Sequence, residues 1–217
     1  MLYNNASVAE KRDELDWVDQ DLFDEAIEAG ACLENLIDKW QLLATLNGDY
    51  SLDKKECDIG ELVEGTIRAN AHYEGDKKIV FSPFYSLQGK LRLKIEKGLI
   101  LVALAALIDN AMKYSREGGT VDVLIIKNHV SASIIVADRG VGISFDRQKE
   151  IFNAFHAERG SEDQKKSGLS LAIAKRVAEL HGGSIFFMSI PGQGARFILK
   201  LPLDREDEEK TETALHN

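Results

Sequence analysis

The sequence predicts an α+β chain: a two-layer α/β sandwich, with helices on one face of a sheet, preceded by a long N-terminal helix. Three observations predict it. Apolar residues recur at alternating three- and four-residue steps through most of the first 50 residues. A dense apolar run, Gly98 to Ile108, is bounded by charged residues and reads as a core helix. Strand-like alternation then appears in adjacent pairs joined by Gly, Asn or Pro turns, the pattern of antiparallel neighbours in an α+β domain.

The long helix carries Leu15, Val18, Leu22, Ala26, Ala29, Leu33, Leu36, Trp40 and Leu43 along one seam, with charged residues on its other faces. Asn5 or Ser7 caps its start, Gly30 marks a bend, and Asn47-Gly48 stops it. At 1.5 Å per residue it would be about 50–60 Å long, more than one small domain covers, so the seam is expected to meet another chain. A helix lying on its own domain is the alternative. Asp58 caps a second helix through Ile59, Leu62, Val63 and Ile67. Strands are expected at Lys78–Ser82 and Leu91–Ile95, and the apolar helix from Glu96 to Tyr114. Gly118-Gly119 leads into strands Thr120–Lys127 and Ser131–Ala137, with Asn128-His129 at the hairpin. A loop-rich stretch runs from Asp138 to Ser167, and a helix follows Gly168 to His181-Gly182-Gly183, where glycines suit a helix stop. Strands Ser184–Ile190 and Ala195–Leu201 close the fold around Pro191-Gly192. The expected domains are residues 1–56, 57–203 and a charged tail, 204–217.

Composition narrows the function. The 217 residues are 44% hydrophobic and 29% charged, a globular balance. Net charge is -9, from 36 acids against 27 bases, which disfavours nucleic acid and anionic membrane as partners. The two cysteines, Cys32 and Cys57, have no metal-ligand spacing and suit a reduced cytoplasmic setting. The first 16 residues are polar where a secretory signal would be apolar. The Gly98–Ile108 run is shorter than the roughly 20 residues a bilayer requires. The chain is expected to be cytoplasmic, or the soluble part of a larger or membrane-anchored sensor.

Four segments carry chemistry. In Asp138-Arg-Gly-Val-Gly-Ile143 an aspartate ends a strand and glycines at 140 and 142 let a ligand approach the backbone. Such a carboxylate can accept a hydrogen bond from an exocyclic amine, although the same pattern occurs in ordinary turns. Asn110, Lys113 and Tyr114 fall at i, i+3, i+4 and share a helix face. The Asn110 oxygen is a hard ligand suited to Mg²⁺ and Lys113 offers charge to phosphate, while a solvated helix end is the plainer reading. Ser167-Gly168-Leu169 opens a helix, where free amides and the dipole favour an anion, with Lys165 and Lys166 just before it. A simple helix start needs no ligand. Gly192-Gln-Gly194-Ala-Arg-Phe197 reads as a structural turn into the last strand.

In order and spacing, these segments resemble the histidine-kinase branch of the Bergerat-fold ATPases. LIDNAMKYS is similar to the family's N box, DRGVGIS to its first glycine box and IFNAFH to its F box. SGLSLAIAKRVAELHGGSI resembles the second glycine box and its helix, and GQGARF the third. The resemblance spans about Cys57 to Leu203. It implies ATP and Mg²⁺ as cofactors, with Asn110 on the metal, Lys113 on phosphate and Tyr114 beside the nucleotide. It implies Asp138 on the adenine amine, Gly140 and Gly142 shaping that wall, and Ile143 against the base. It further implies Phe152 and Phe155 anchoring a lid over His156 to Ser167, Gly168 and Leu169 at the phosphates, and His181 as structural. Two departures stand out. The second glycine box has Lys166, Gly168 and Ser170 where the family has three glycines, and Ala106 stands where a second asparagine is common. Lys166 offers charge in compensation, so the site is expected to bind nucleotide in weakened form.

The long helix resembles the second helix of the family's dimerisation hairpin, whose first helix bears the phosphorylated histidine. No histidine precedes His72, and neither it nor His129, His156, His181 or His216 has an acceptor's context. The chain is therefore a piece of a complete sensor kinase, or a natural partial kinase acting on a histidine of another chain, or a pseudokinase that acts by binding. The first two accounts make it the ATP-binding catalytic portion of a two-component sensor histidine kinase, homodimeric in its full-length context. The third makes it an interaction module whose long helix binds a partner kinase or a response regulator. A serine kinase of the anti-sigma-factor type shares the fold, but the His-Gly-Gly helix end and the seamed helix argue against it.

Overall fold

A computed structural model of the chain describes residues 17–71, 79–86, 90–155 and 168–203. It separates into two compact units, Met1–Gln41 and Leu42–Asn217. The first contains the body of a single helix, α1, Trp17–Asn47, whose last residues, from Leu42 on, belong to the second unit. Its 31 residues run unbroken through Gly30 and span about 46 Å. Of the seam, Leu22, Leu33 and Trp40 are exposed, as is Ile37 beside them. The expected cap at Asn5 or Ser7 and the first seam residue, Leu15, lie outside the described residues.

In the second unit, β1 (Lys55–Asp58) pairs antiparallel with β3 (Arg92–Ile95). Helix α2 (Ile59–Ala71) follows β1 directly. Asp58 Oδ1 accepts the Glu61 amide at 3.2 Å, which supplies the expected cap. Ile59, Leu62, Val63 and Ile67 form its buried stripe, as their 3.6-residue period requires.

A second sheet has the order β2-β4-β5-β7-β6. Its strands are β2 (Val80–Ser86), β4 (Thr120–Lys127), β5 (Ser131–Ala137), β6 (Ser184–Ser189) and β7 (Ala195–Pro202). Strand β2 runs parallel to β4, and the other neighbours are antiparallel. Pro83 sits in β2 at the sheet edge, where a missing donor is tolerated. Alternate residues Val121, Val123, Ile125, Ile134, Val136, Phe197, Leu199 and Leu201 are buried on one face. Helix α3 (Lys97–Tyr114) and helix α5 (Ser170–Leu180) pack against each other. Both bury large side chains, Ile100, Leu104, Leu107 and Ile173 among them, together with alanines 103, 174 and 178. Small residues let the helix axes approach closely. A short helix, α4 (Phe145–Gln148), lies between β5 and α5.

The α+β sandwich is therefore the observed architecture. Strands β4 and β5 and the end of α3 fall where the sequence places them. Two elements were not foreseen. Strand β1, Lys-Glu-Cys-Asp, has no apolar alternation and is extended because β3 pairs with it, and α4 is too short to show a helical period. The expected strand at Lys78–Ser82 is observed as Val80–Ser86, and it pairs in parallel, which alternation alone does not reveal.

Candidate functional site

Asp138 directly follows β5 and is 7% exposed. Its Oδ1 accepts the Gly140 amide at 2.8 Å and the Ala195 amide at 3.3 Å, while its own amide donates to the Ala195 carbonyl at 2.9 Å. Burial pushes the carboxyl above its ordinary range, and the backbone bonds oppose that. Both side-chain bonds end on the same oxygen. The carboxylate is thus fixed by one atom and presents a strong acceptor with the other. Asp138 lines a cavity shared with Gln148, Phe187, Ser189, Gln193 and Gly194.

The loop after Asp138 is pressed onto its surroundings. A Cβ on Gly140 would lie 1.8 Å from the Tyr114 carbonyl oxygen, so only glycine allows this approach. Gly142 has φ +66°, and a Cβ there would lie 2.3 Å from the Ile190 oxygen. The Val141 amide donates to the Tyr114 carbonyl at 3.3 Å, and its carbonyl accepts the Gly192 amide at 2.7 Å. The Ser189 hydroxyl accepts the Ile143 amide at 2.9 Å and donates to the Gly194 carbonyl at 2.8 Å. Gln148 Nε2 donates to the carbonyls of Ile143 and Ser189, at 2.9 and 3.2 Å. Arg116 Nη2 reaches the Gly192 carbonyl at 3.1 Å. Ser189, Gln148 and Arg116 therefore shape the loop, and sequence reasoning named none of them. Each acts on a partner distant in sequence, with only the polar character of isolated residues as a signal. The 192–194 turn, read as structural, is the loop's back wall.

Asn110, Lys113 and Tyr114 lie half-buried on the last turns of α3. Lys113 Nζ is 5.9 Å from the centroid of the Tyr114 ring. The Tyr114 carbonyl is what brings this helix end against the Asp138 loop. Ala106, one turn earlier, is buried, so that turn of α3 faces protein. Among the described residues no group of three His, Cys, Asp or Glu side chains is placed to hold a metal. A divalent cation here would rest on the Asn110 amide oxygen together with ligand oxygens and water, which suits Mg²⁺.

Gly168 adopts φ +63° immediately before α5. Leu169, the N-cap residue, buries its side chain fully, and no side chain caps the helix. The first turn of α5 therefore offers backbone amides and the positive end of the dipole. Ile143 is half-buried beside Gln148. Phe152 packs edge-on against Phe187 and Phe197, at 5.9 and 6.5 Å between ring centroids. Phe155, by contrast, is exposed with φ +64°. Lys165, Lys166, Ser167 and the expected lid, residues 156–167, lie outside the described residues, as do His72, His156 and His216.

His181, at the end of α5, is buried with both ring nitrogens engaged. Nδ1 donates to the Val177 carbonyl at 2.8 Å, and Nε2 accepts the Glu96 amide at 3.0 Å. Desolvation holds its pKa below the ordinary imidazole range, nearby Lys54 adds to that, and the Val177 carbonyl and Glu96 oppose it. His129 is exposed at the β4–β5 hairpin. No described helix is long and apolar enough to cross a membrane.

Residues 94–205, just over half of the chain, match the family of histidine kinase-, DNA gyrase B-, and HSP90-like ATPases. The sensor-like histidine kinase SenX3 of Mycolicibacterium smegmatis is 39% identical over 109 residues, covering 49% of this chain and 28% of that protein. The chain thus spans about a third or less of the length of such relatives. Among solved structures, ShkA in complex with AMPPNP superposes with a TM-score of 0.74 at 24% identity, covering 87% of this chain and 39% of that one. The histidine kinase AdeS of Acinetobacter baumannii superposes with a TM-score of 0.69 at 19% identity, covering 92% and 93%. These two likenesses are likenesses of fold.

Proposed function

This chain belongs to the family of histidine kinase-, DNA gyrase B- and HSP90-like ATPases, and from that premise we propose that it is the ATP-binding catalytic portion of a two-component sensor histidine kinase. It transfers the γ-phosphoryl group of ATP to a histidine that is not among the five of this sequence. Asp138 carries the reading: a buried carboxylate pinned through one oxygen, lining a cavity with Gln148, Phe187, Ser189 and Gly194. Its other oxygen accepts the adenine amine. Gly140 and Gly142 keep the wall flat, and Ile143 packs beside the base. Tyr114 lies along the nucleotide and Lys113 meets its phosphates. The α5 amides after Gly168 and Leu169 complete the anion site, with Lys166, Ser167 and Phe155 contributing from the lid side.

When bound through Asn110, Mg²⁺ neutralises phosphate charge. The protein's own part is positioning and electrostatics, as phosphoryl transfer requires little else. An imidazole nitrogen of the acceptor attacks the γ-phosphorus in line, the bond to the β-bridging oxygen breaks, and ADP leaves with that oxygen's charge held by Lys113 and the α5 amides. A response regulator accepts the phosphoryl group in turn.

Titration of the purified chain with ATP and Mg²⁺, followed by heat or by a fluorescent ATP analogue, tests the reading. Saturable binding below millimolar ATP is expected. Its absence up to millimolar ATP would overturn the enzymatic proposal. The exposed apolar stripe on α1 favours a second reading, in which the chain acts chiefly by docking a partner kinase or response regulator. Nucleotide-independent capture of that partner by α1 would distinguish it.

A further inference from the structure

The two helices assigned to the nucleotide also hold, at their far ends, the chain that leaves α1. Helix α3 has Asn110, Lys113 and Tyr114 at its C-terminus, and Glu96 just before its first residue. Helix α5 begins after Gly168 and Leu169, carries Arg176 two turns on and ends at His181. The Glu96 carboxylate accepts the Tyr50 hydroxyl on Oε1 at 2.7 Å and the Asp53 amide on Oε2 at 3.1 Å. Arg176 Nε donates to the Leu46 carbonyl at 2.9 Å, and its guanidinium lies 3.6 Å from Glu179. The Leu46 side chain is fully buried. Its carbonyl is one of the last four of α1, which have no acceptor role inside the helix, and a cation there also suits the dipole. The bond from the Glu96 amide to His181 Nε2 joins the two grips.

We propose that Glu96 and Arg176 are positioning residues that clasp the segment Leu46–Asp53, and that this clasp is coupled to occupation of the nucleotide site. The inference rests on the nucleotide reading above. The connecting rods are regular helix, about 21 Å from Glu96 to Asn110 and about 9 Å from Ser170 to Arg176. Ligand contacts that order the C-terminus of α3 and the N-terminus of α5 restrain the same two rods whose other ends hold residues 46–53. Neither Glu96 nor Arg176 belongs to the nucleotide site. Coupling is reciprocal, so opening the clasp weakens nucleotide binding by the factor by which nucleotide tightens the clasp.

The test measures amide hydrogen exchange and fluorescent ATP-analogue binding on the same preparation of the full chain. With Mg-ATP, exchange at residues 46–53 and at Glu96 is expected to slow by about fivefold or more. Arg176→Gln and Glu96→Gln are expected to exchange faster there without nucleotide, to lose that slowing, and to bind the analogue about fivefold more weakly. Tyr50→Phe removes a single hydroxyl, leaves the fold's buried groups in place and should show the same effects in smaller measure. Analogue binding with unchanged exchange at 46–53 in the wild type overturns the coupling and leaves the nucleotide reading standing. Wild-type affinity in all three variants does the same. No binding of the analogue overturns both.

Discussion

At the scale of single residues, Asp138 separates a structural role from a binding role. Asparagine keeps an oxygen able to accept the Gly140 and Ala195 amides, so Asp138→Asn preserves the loop. The folded carboxyl sits above its ordinary pKa, so the charged form is a net cost to the fold at neutral pH, and the amide removes it. Thermal stability of Asp138→Asn should match or exceed that of the wild type. The amide's NH₂ then faces the adenine amine, donor to donor, and ATP affinity should fall about 10- to 100-fold, a hydrogen bond to a charged group being worth about 1.5–3 kcal/mol. Unchanged affinity in calorimetric titration would place the adenine elsewhere. His181 gives the second prediction. Its folded pKa is depressed, so on acidification the unfolded imidazole protonates first, near about pH 6.5. The unfolded state then binds more protons, and this contribution to stability, complete at neutral pH, is lost progressively below that point. His181→Gln should therefore lose less stability than the wild type between pH 7.5 and 5.5, read from urea midpoints at the two values. Parallel losses would show that the ring does not control this window.

At the scale of elements, the site depends on one joint, where the C-terminus of α3 meets the loop after β5. Gly140 makes that joint possible. An added methyl would fall on the Tyr114 carbonyl, backbone that cannot yield cheaply, so α3 and the loop must separate. Overpacking of this kind costs about 1–3 kcal/mol. Gly140→Ala should lower the unfolding midpoint accordingly and abolish ATP-analogue binding, whereas Gly118→Ala, whose Cβ meets nothing within 4 Å, should not affect binding beyond local turn strain. Equal binding by both would mean the joint is not needed. The helices and hairpins that carry the site residues were legible because their periods survive in the sequence: α3, β4 and β5 show it plainly. The joint itself was legible only as glycines at 140 and 142. What those glycines touch, and the Gln148–Ser189 bracket across 41 residues, depends on tertiary register, which periodicity does not contain. Strand β1 was hidden for the same reason, being extended only through its partner.

At the scale of the whole molecule, the chain separates into two units, with the boundary inside the last turns of α1. The exposure along α1 gives that division a consequence. Leu22, Leu33, Ile37 and Trp40 are all more than half exposed and stand 11, 4 and 3 residues apart, one face of a helix. If two copies bury these faces together, eight half-exposed side chains contribute about 6–12 kcal/mol at roughly 1.5–3 kcal/mol for each full burial. Association itself costs at least about 4 kcal/mol. The balance spans barely stable pairing to micromolar pairing. Sedimentation of the chain should therefore show a concentration-dependent dimer between about 10 and 500 µM. Leu33→Glu with Trp40→Glu should return it to monomer, because a buried charge at either position removes more than the margin available. Both substitutions lie in the first unit, so ATP-analogue affinity should not change. A chain that sediments as a monomer throughout that range would instead assign the α1 face to a different partner, with the acidic net charge of -9 setting a preference for one that brings basic residues to the helix's rim.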